Sequence, residues 1–576
     1  MKIIFLALFL FYANNIPSSA KNIYVGYNTN NKGDGSKTNP FPFLFQAIEK
    51  SRTLENKNKK IHILESATIY LKDTIRLNEK DSFLEITGTD GTILSGGIQV
   101  NGWRKSNDGL WIAKCPTIKA PRELFVNGVD SPRARFPNES WLRIQKSLPD
   151  RRSGFTFGKN DLPEILRINK SLELLFLHDW SISRIPVRKI DYDSLILHSK
   201  FPIGCSARHY AIDHFEKNPR YAIEGSIELI DRPGEWAYEN GELFYKPLPA
   251  QKMANCNFVI PRLKQLVIAQ PSGPDKNISN IKITGVTFSH CRFDLPIEGY
   301  ASGQATVHEY RDGSGKKGRQ IMQAAVRLEG ITDSLIDHCT FKHLGGSGLW
   351  IGRNCSNIRV INSFFTGIGG NGINLGETDQ IDPAQKIEIS NSKIKYCGNQ
   401  FFGSIGIWIG MAENCKVVKC EVSQLPYTGI SLGWKWDDQP TVSKGHEILN
   451  NHIHHVMQIL SDGGGIYTLG RQPGTTLSNN HIHHIPLNAG KAQSNGIFMD
   501  QGSSGMIVRD NRIHHIAKSP IRFHKAKENK IHENQLETFP LVPAITFHST
   551  AKELISFSKN KIFEIQRPKQ FPPNDE

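Results

Sequence analysis

The 576-residue chain lacks the features that would staple it, span a bilayer or bind nucleic acid. Its nine cysteines are odd in number and irregularly spaced, which argues against a disulfide framework. Beyond residues 3–12 no apolar run is long enough to cross a membrane. That one run follows Lys2 and precedes Ser18 and Ala20, the pattern of a cleavable secretory signal over residues 1–20. The expected location is therefore secreted or periplasmic, with no membrane insertion after cleavage, and no cysteine follows the cleavage site to carry a lipid. No basic block or basic helix stands out, so nucleic acid is not an expected partner. The formal charge is nonetheless +15, or +14 once Lys2 leaves with the signal (15 − 1), which suits an anionic partner such as an acidic polysaccharide. Helical periodicity is scarce as well, with one short candidate from about Pro42 to Ser51.

In place of these features the chain has a repeat. Three stretches nearly coincide: "NNHIHHV" from Asn450, "NNHIHHI" from Asn479 and "DNRIHHI" from Asp510. Asn451, Asn480 and Asn511 are spaced 29 and 31 residues apart, a period that signals stacked structural repeats. Weaker copies hold Cys339, Ser363, Ser392, Cys420 and Asn534 at the same place. A second signature reads Gly, apolar, any, apolar: "GLWI" at Gly348, "GINL" at Gly372, "GIWI" at Gly406, "GISL" at Gly429, "GIYT" at Gly465 and "GIFM" at Gly496. Period-two alternation means strands, and short strands repeating with no helix between them mean a parallel β-helix.

The expected fold is all-β: a right-handed parallel β-helix with an N-terminal capping helix and an inserted β-rich domain. Residues 21–104 would form the cap and first coils. Residues 105–260 break the period and alternate like antiparallel strands joined by Gly, Asn and Pro turns. Residues 261–576 would form the main solenoid, and 292–323 a mobile loop near one face.

Equivalent residues of successive coils stand over one another, so the columns can be assigned. Ile453, Ile482 and Ile513 point inward, and Asn451, Asn480, Asn511 and Asn534 form an internal amide ladder. His452, His454, His481, His483 and His514 point outward as surface ladders. Zinc needs convergent tetrahedral ligands, which a flat column does not supply by itself. No metal and no cofactor are expected. Cys339 and Cys420 take inward ladder positions, and Cys355 and Cys415 share a turn two coils apart, too far for a bond. Buried thiols are expected.

One outward column runs Arg327, Trp350, Asn374, Trp408, Ser431, Tyr467, Phe498, Arg522. Aromatic rings stack on sugars, so an exposed row of this kind suits a glycan cleft; the alternative is that the inserted domain covers it. The next column places Gly352, Gly376, Gly410 and Gly433 ahead of Asp500 and His524, which reads as a cleared groove floor ending in a titratable pair. The loop after Gly433 brings Trp434, Trp436 and Asp438 to the same edge. Asp462 precedes three glycines in "SDGGGIYTLGRQPGT", read as a turn carrying a carboxylate. Straight strands would leave Asp462 and Asp500 seven positions apart in register, roughly 20 Å, so the "GGG" turn must fold Asp462 back, or Asp438 becomes the better partner.

"DGGGIYTLGRQPGT", "GIFMDQGSSG", "LFVNGVDSPRARFPN" and "DRPGEWAYENGELFYKPL" resemble the parallel β-helix glycoside hydrolases, most closely family 141. The resemblance covers nearly all of the chain beyond the signal. It implies a glycosidase, fucosidase- or xylanase-like, with Asp462 and Asp500 as the catalytic carboxylates. In "MDQG" this chain has Gln501 where Glu is commoner. The residues expected to bind substrate are Tyr467, Trp408, Trp434, Trp436, Asp438, Phe498, Arg471, Arg522 and His524. The expected partner is a polysaccharide or oligosaccharide, and the chain a monomer. Two other classes fit the residues. A polysaccharide lyase would use Arg471, Arg522, Lys525 or His524 beside a uronate carboxylate, and a non-catalytic solenoid would bind glycans without releasing a reducing end.

Overall fold

The computed structural model describes residues 21–26, 32–54, 58–64, 66–166, 168–169, 171–214, 216–488, 490 and 492–569. The proposed signal, 1–20, lies outside them. Three parallel sheets wind around one core. The first runs from Lys21–Val25 to Ile555–Ser558, the second from Thr68–Tyr70 to Lys561–Glu564, and the third, 11-stranded, from Ile75–Leu77 to Ile545–His548. Each coil visits the first, second and third sheet in turn.

The turn between first and second sheet shows why this sequence coils. The residue before the ladder position adopts a left-handed backbone, as at Asn450, Asn479 and Asp510 (φ 58°, 55° and 57°). Asn and Asp tolerate that region best among non-glycine residues. The next residue then points inward. Asn451 Nδ2 donates to Asn480 Oδ1 at 2.9 Å, Asn480 to Asn511 at 3.0 Å, and Asn511 to Asn534 at 2.9 Å. The ladder runs one rung further, to Asn560, at 2.9 Å. It satisfies polar groups that would otherwise be stranded in the core, each costing about 1–3 kcal/mol. Ile453, Ile482 and Ile513 are fully buried beneath it. Cys339, Cys355, Cys415 and Cys420 are free, buried thiols, and burial pushes each up to about 12.

The capping helix α1, Leu44–Arg52, buries Leu44, Ala47, Ile48 and Ser51 on the open end of the solenoid. That i, i+3, i+4, i+7 stripe, rather than a side-chain N-cap, holds it in place.

The inserted module leaves the coils at Gly97, earlier than the expected residue 105, because Gly97–Gln99 already pairs antiparallel with Phe258–Pro261. It contains two four-stranded sheets and most of an 11-stranded one. The segment 292–323 is not a free loop: Tyr300–Gln304 is wholly buried and pairs with the module strand Ile182–Asp191. Its apolar residues Tyr300 and Ala301 have a partner surface that the sequence did not disclose. Module and segment both depart between the second and third sheets, and both return over the third.

Candidate active site

A cavity of about 590 Å³ lies where the module meets the outer face of the third sheet. Asp462, Tyr467, Asp500, Gln501, Arg522, His524 and His548 line it from the coils, Trp436 from the loop after Gly433, and Trp180, His209, Tyr210, Gln304 and Arg319 from the module and the 292–323 segment.

Asp462 and Asp500 enter it from opposite edges of one sheet. The three glycines are not a turn: Gly463–Thr468 is a strand, fully buried, with Gly464 opposite Asn495. A Cβ on Gly463 would meet Thr428 Oγ1 at 2.4 Å, and one on Gly464 would meet the Asn495 carbonyl at 2.8 Å. The glycines permit coils to approach closely. The turn is at Asp462 itself (φ 59°), where the Tyr427 hydroxyl donates to the Asp462 carbonyl at 2.8 Å. Arg522, whose guanidinium lies 4.5 Å from the Phe498 ring in mid-strand, approaches the Asp462 carboxylate to 3.8 Å. Asp462 thus faces the cavity that Asp500 also lines, within electrostatic reach of it.

Asp500 follows the strand Ser494–Met499 and is 6% exposed. Tyr467 donates its hydroxyl to Asp500 Oδ2 at 2.5 Å, and His524 Nδ1 lies 2.6 Å from Oδ1, as a donor when it carries the proton. Asp500 thereby accepts at both oxygens, the bonding of an ionised carboxylate. Asp462 behaves oppositely. Burial pushes its pKa far above the carboxylate range, and the charge of Asp500 pushes it further, with Asp179 adding and Arg522 opposing. Its side chain keeps 27% exposure and lines the cavity. Burial and the Asp500 charge also raise Tyr467 well above the phenol range, so it stays a donor.

The other expected residues divide. His524 and Arg522 line the cavity as placed. Tyr467 lines it but is 2% exposed and serves Asp500, leaving no face for a sugar. Phe498 is fully buried beneath Arg522 and Tyr467. Trp408 is fully buried against Trp434, which in turn meets Trp436. Only Trp436 of the three reaches the cavity, 40% exposed. The row is covered partly by the loop after Gly433, through Trp434, and partly by its own neighbours in adjacent coils. Asp438 is exposed, 3.6 Å from Lys527, and Arg471 is exposed; neither lines the cavity. The glycine column is not an open groove either: at Gly410 a Cβ would strike the Trp408 ring at 2.7 Å, and at Gly433 the Leu469 carbonyl at 2.1 Å.

Sequence reasoning missed Trp180, His209, Tyr210, Gln304 and Arg319. Trp180 donates to the Gly303 carbonyl at 2.9 Å and meets Tyr210 edge-on at 5.5 Å, and the Arg319 guanidinium lies 5.4 Å from the Tyr210 ring. The available signal was positional: both insertions open between second and third sheets, the same edge from which Asp462 enters. No helix among the described residues is long and apolar enough to cross a membrane.

Comparison with known proteins bears on the fold. The family model for the right-handed beta helix region matches residues 325–458 and 406–567, which gives the solenoid its hand. A solved structure named as a glycoside hydrolase superposes with a TM-score of 0.77 at 22% identity, covering 92% of this chain and 97% of that one. XylC in complex with xylose reaches a TM-score of 0.47 at 10% identity, over 95% of this chain and 87% of that one. The A-module of the Azotobacter vinelandii mannuronan C-5 epimerase AlgE4 reaches 0.33 at 12% identity, over 54% and 84%. No curated protein matches the sequence.

Proposed function

We propose that this right-handed parallel β-helix is an exported glycoside hydrolase, with Asp462 as general acid and Asp500 as the ionised partner. One observation carries the reading: two carboxylates share a cavity, Asp500 with a hydrogen-bond partner at each oxygen and Asp462 with its pKa raised by burial and by the Asp500 charge. Such a difference between two carboxylates is how one site runs acid and base chemistry at a single pH. Asp462, neutral through burial and the neighbouring charge, protonates the glycosidic oxygen. Asp500, aligned by Tyr467 and His524, supplies negative charge to the oxocarbenium-like centre, as nucleophile or as base for water. Trp436 and Trp180 offer aromatic surface to sugar rings. The likeness to a glycoside hydrolase structure supports this reading, as does the resemblance to family 141; a fucosidase- or xylanase-like specificity is the corresponding proposal for substrate.

A uronate lyase is the competing reading, since Arg319 and Arg522 line the same cavity. Arg522 is already turned toward Asp462, which favours the hydrolase. The experiment is a polysaccharide panel in which new reducing ends and the ultraviolet absorbance of unsaturated product are followed together. Reducing ends without that absorbance, abolished by Asp500→Asn, are expected. Unsaturated product would replace the hydrolase by the lyase. Glycan binding with no new ends would leave a binding solenoid.

A further inference from the structure

The histidine ladders do not stay flat. Eight imidazoles cover the second-sheet face and its turn over three coils: His452, His454 and His455, then His481, His483 and His484, then His514 and His515. Rings of one column stack at about the coil spacing, His452 on His481 at 5.0 Å and His454 on His483 at 5.0 Å. Neighbouring columns also lean together across the coils. His452 Nε2 lies 2.7 Å from His483 Nε2, and His481 Nε2 lies 2.7 Å from His514 Nε2. The convergence that a single column cannot offer therefore comes from two columns meeting diagonally.

At one point three imidazoles converge. One nitrogen each from His452, His481 and His483 lie within 4.8 Å of one another. We infer that these three form a facial binding site for a borderline divalent transition ion such as Zn²⁺, with water in the remaining position and the ion clamping two adjacent coils. Zn–N bonds of about 2.0–2.1 Å in tetrahedral geometry need nitrogens about 3.3 Å apart. The close pair must open by about 0.6 Å and the wider separations must close, both within reach of ring rotation on a fixed backbone. The backbone is fixed, because His452 pairs with His481 and His454 with His483 in continuous parallel strands. Nitrogen donors suit Zn²⁺, Cu²⁺ and Ni²⁺ rather than Mg²⁺ or Ca²⁺.

Carboxylates and cations stand at the rim: Glu421 is held by Lys395 and lies 3.3 Å from His454 Nε2, and Glu537 pairs with Arg512 at 3.0 Å. Among the described residues, His452, His481 and His483 are where three ligand-bearing side chains bring their donor atoms together. They lie on the second sheet, whereas the acidic pair lies on the third, so the proposal is independent of the proposed hydrolysis.

The test is calorimetric titration of the full-length, chelator-stripped protein with Zn²⁺ alone near neutral pH, alongside thermal melts with and without the ion. The wild type is expected to bind one Zn²⁺ saturably and to melt at higher temperature with it. The His452→Gln/His483→Gln variant is expected to keep its circular dichroism but lose both effects, while His198→Gln, on the module, keeps both. Absence of saturable binding in the wild type overturns the inference. So does equal binding by the double variant.

Discussion

Replacing Asp462 by Asn removes a proton donor while conserving shape, and the structure sets what should follow. Loss of a general acid costs on the order of 10²–10⁴ in rate, about 2.7–5.4 kcal/mol of activation free energy at 1.36 kcal/mol per decade. The loss should depend on the leaving group. A natural glycan needs the proton and should show the full effect; an aryl glycoside with an acidic leaving group should show far less. The pH profile offers a second reading. Asp462 has a raised pKa, from burial and the Asp500 charge, so wild-type activity should fall as pH rises through that value, and the Asn variant should lack this alkaline limb. Stability follows the same sign. Because the folded pKa lies above the ordinary 3.8, the stability linked to the protonated acid is fully present below that value and is lost as pH rises through the folded one. The Asn variant should then be no less stable than wild type under alkaline conditions, by chemical denaturation. Steady-state kinetics on paired glycan and aryl substrates decide the matter. An equal loss on both substrates, or an unchanged alkaline limb, would refute Asp462 as the acid.

Other consequences are more direct. Tyr467→Phe removes a hydrogen bond to a carboxylate, worth about 1.5–3 kcal/mol; kcat should fall about 10–100-fold with KM nearly constant, and a loss confined to KM would contradict a positioning role. Trp436→Ala should raise KM several-fold without altering the melt, since the ring is 40% exposed, whereas fully buried Trp408→Ala should destabilise by about 3–5 kcal/mol in denaturant titrations. Arg184 bridges Glu173 and Glu224 at 2.7 Å each inside the module; Arg122 still holds Glu173 and Arg135 lies 3.6 Å from Glu224, so Arg184→Ala should destabilise by less than the about 3–5 kcal/mol of a fully stranded buried charge.

The repeat by itself determined the solenoid. A side chain at Asn451 must stand over those at Asn480 and Asn511 once the coils stack at the strand spacing, so the amide ladder, the inward isoleucines and the contact between Asp500 and His524 follow from period alone. Stacking is a local rule, and residues that obey it are legible. Tertiary structure decided what the rule does not reach. Burial of Trp408 depends on Trp434 in the loop after Gly433, and that of Phe498 on the lean of Arg522 and Tyr467 from adjacent coils, and a column assignment says only that both point outward. The direction of Asp462 rests on a left-handed backbone at that residue, which strand register alone does not reveal. The cavity wall of Trp180, His209, Tyr210 and Arg319 comes from segments whose partners are distant in sequence and share no period with the coils. The lean that brings His452 to His483 is likewise a relation between columns, and spacing along the chain describes only the relation within one.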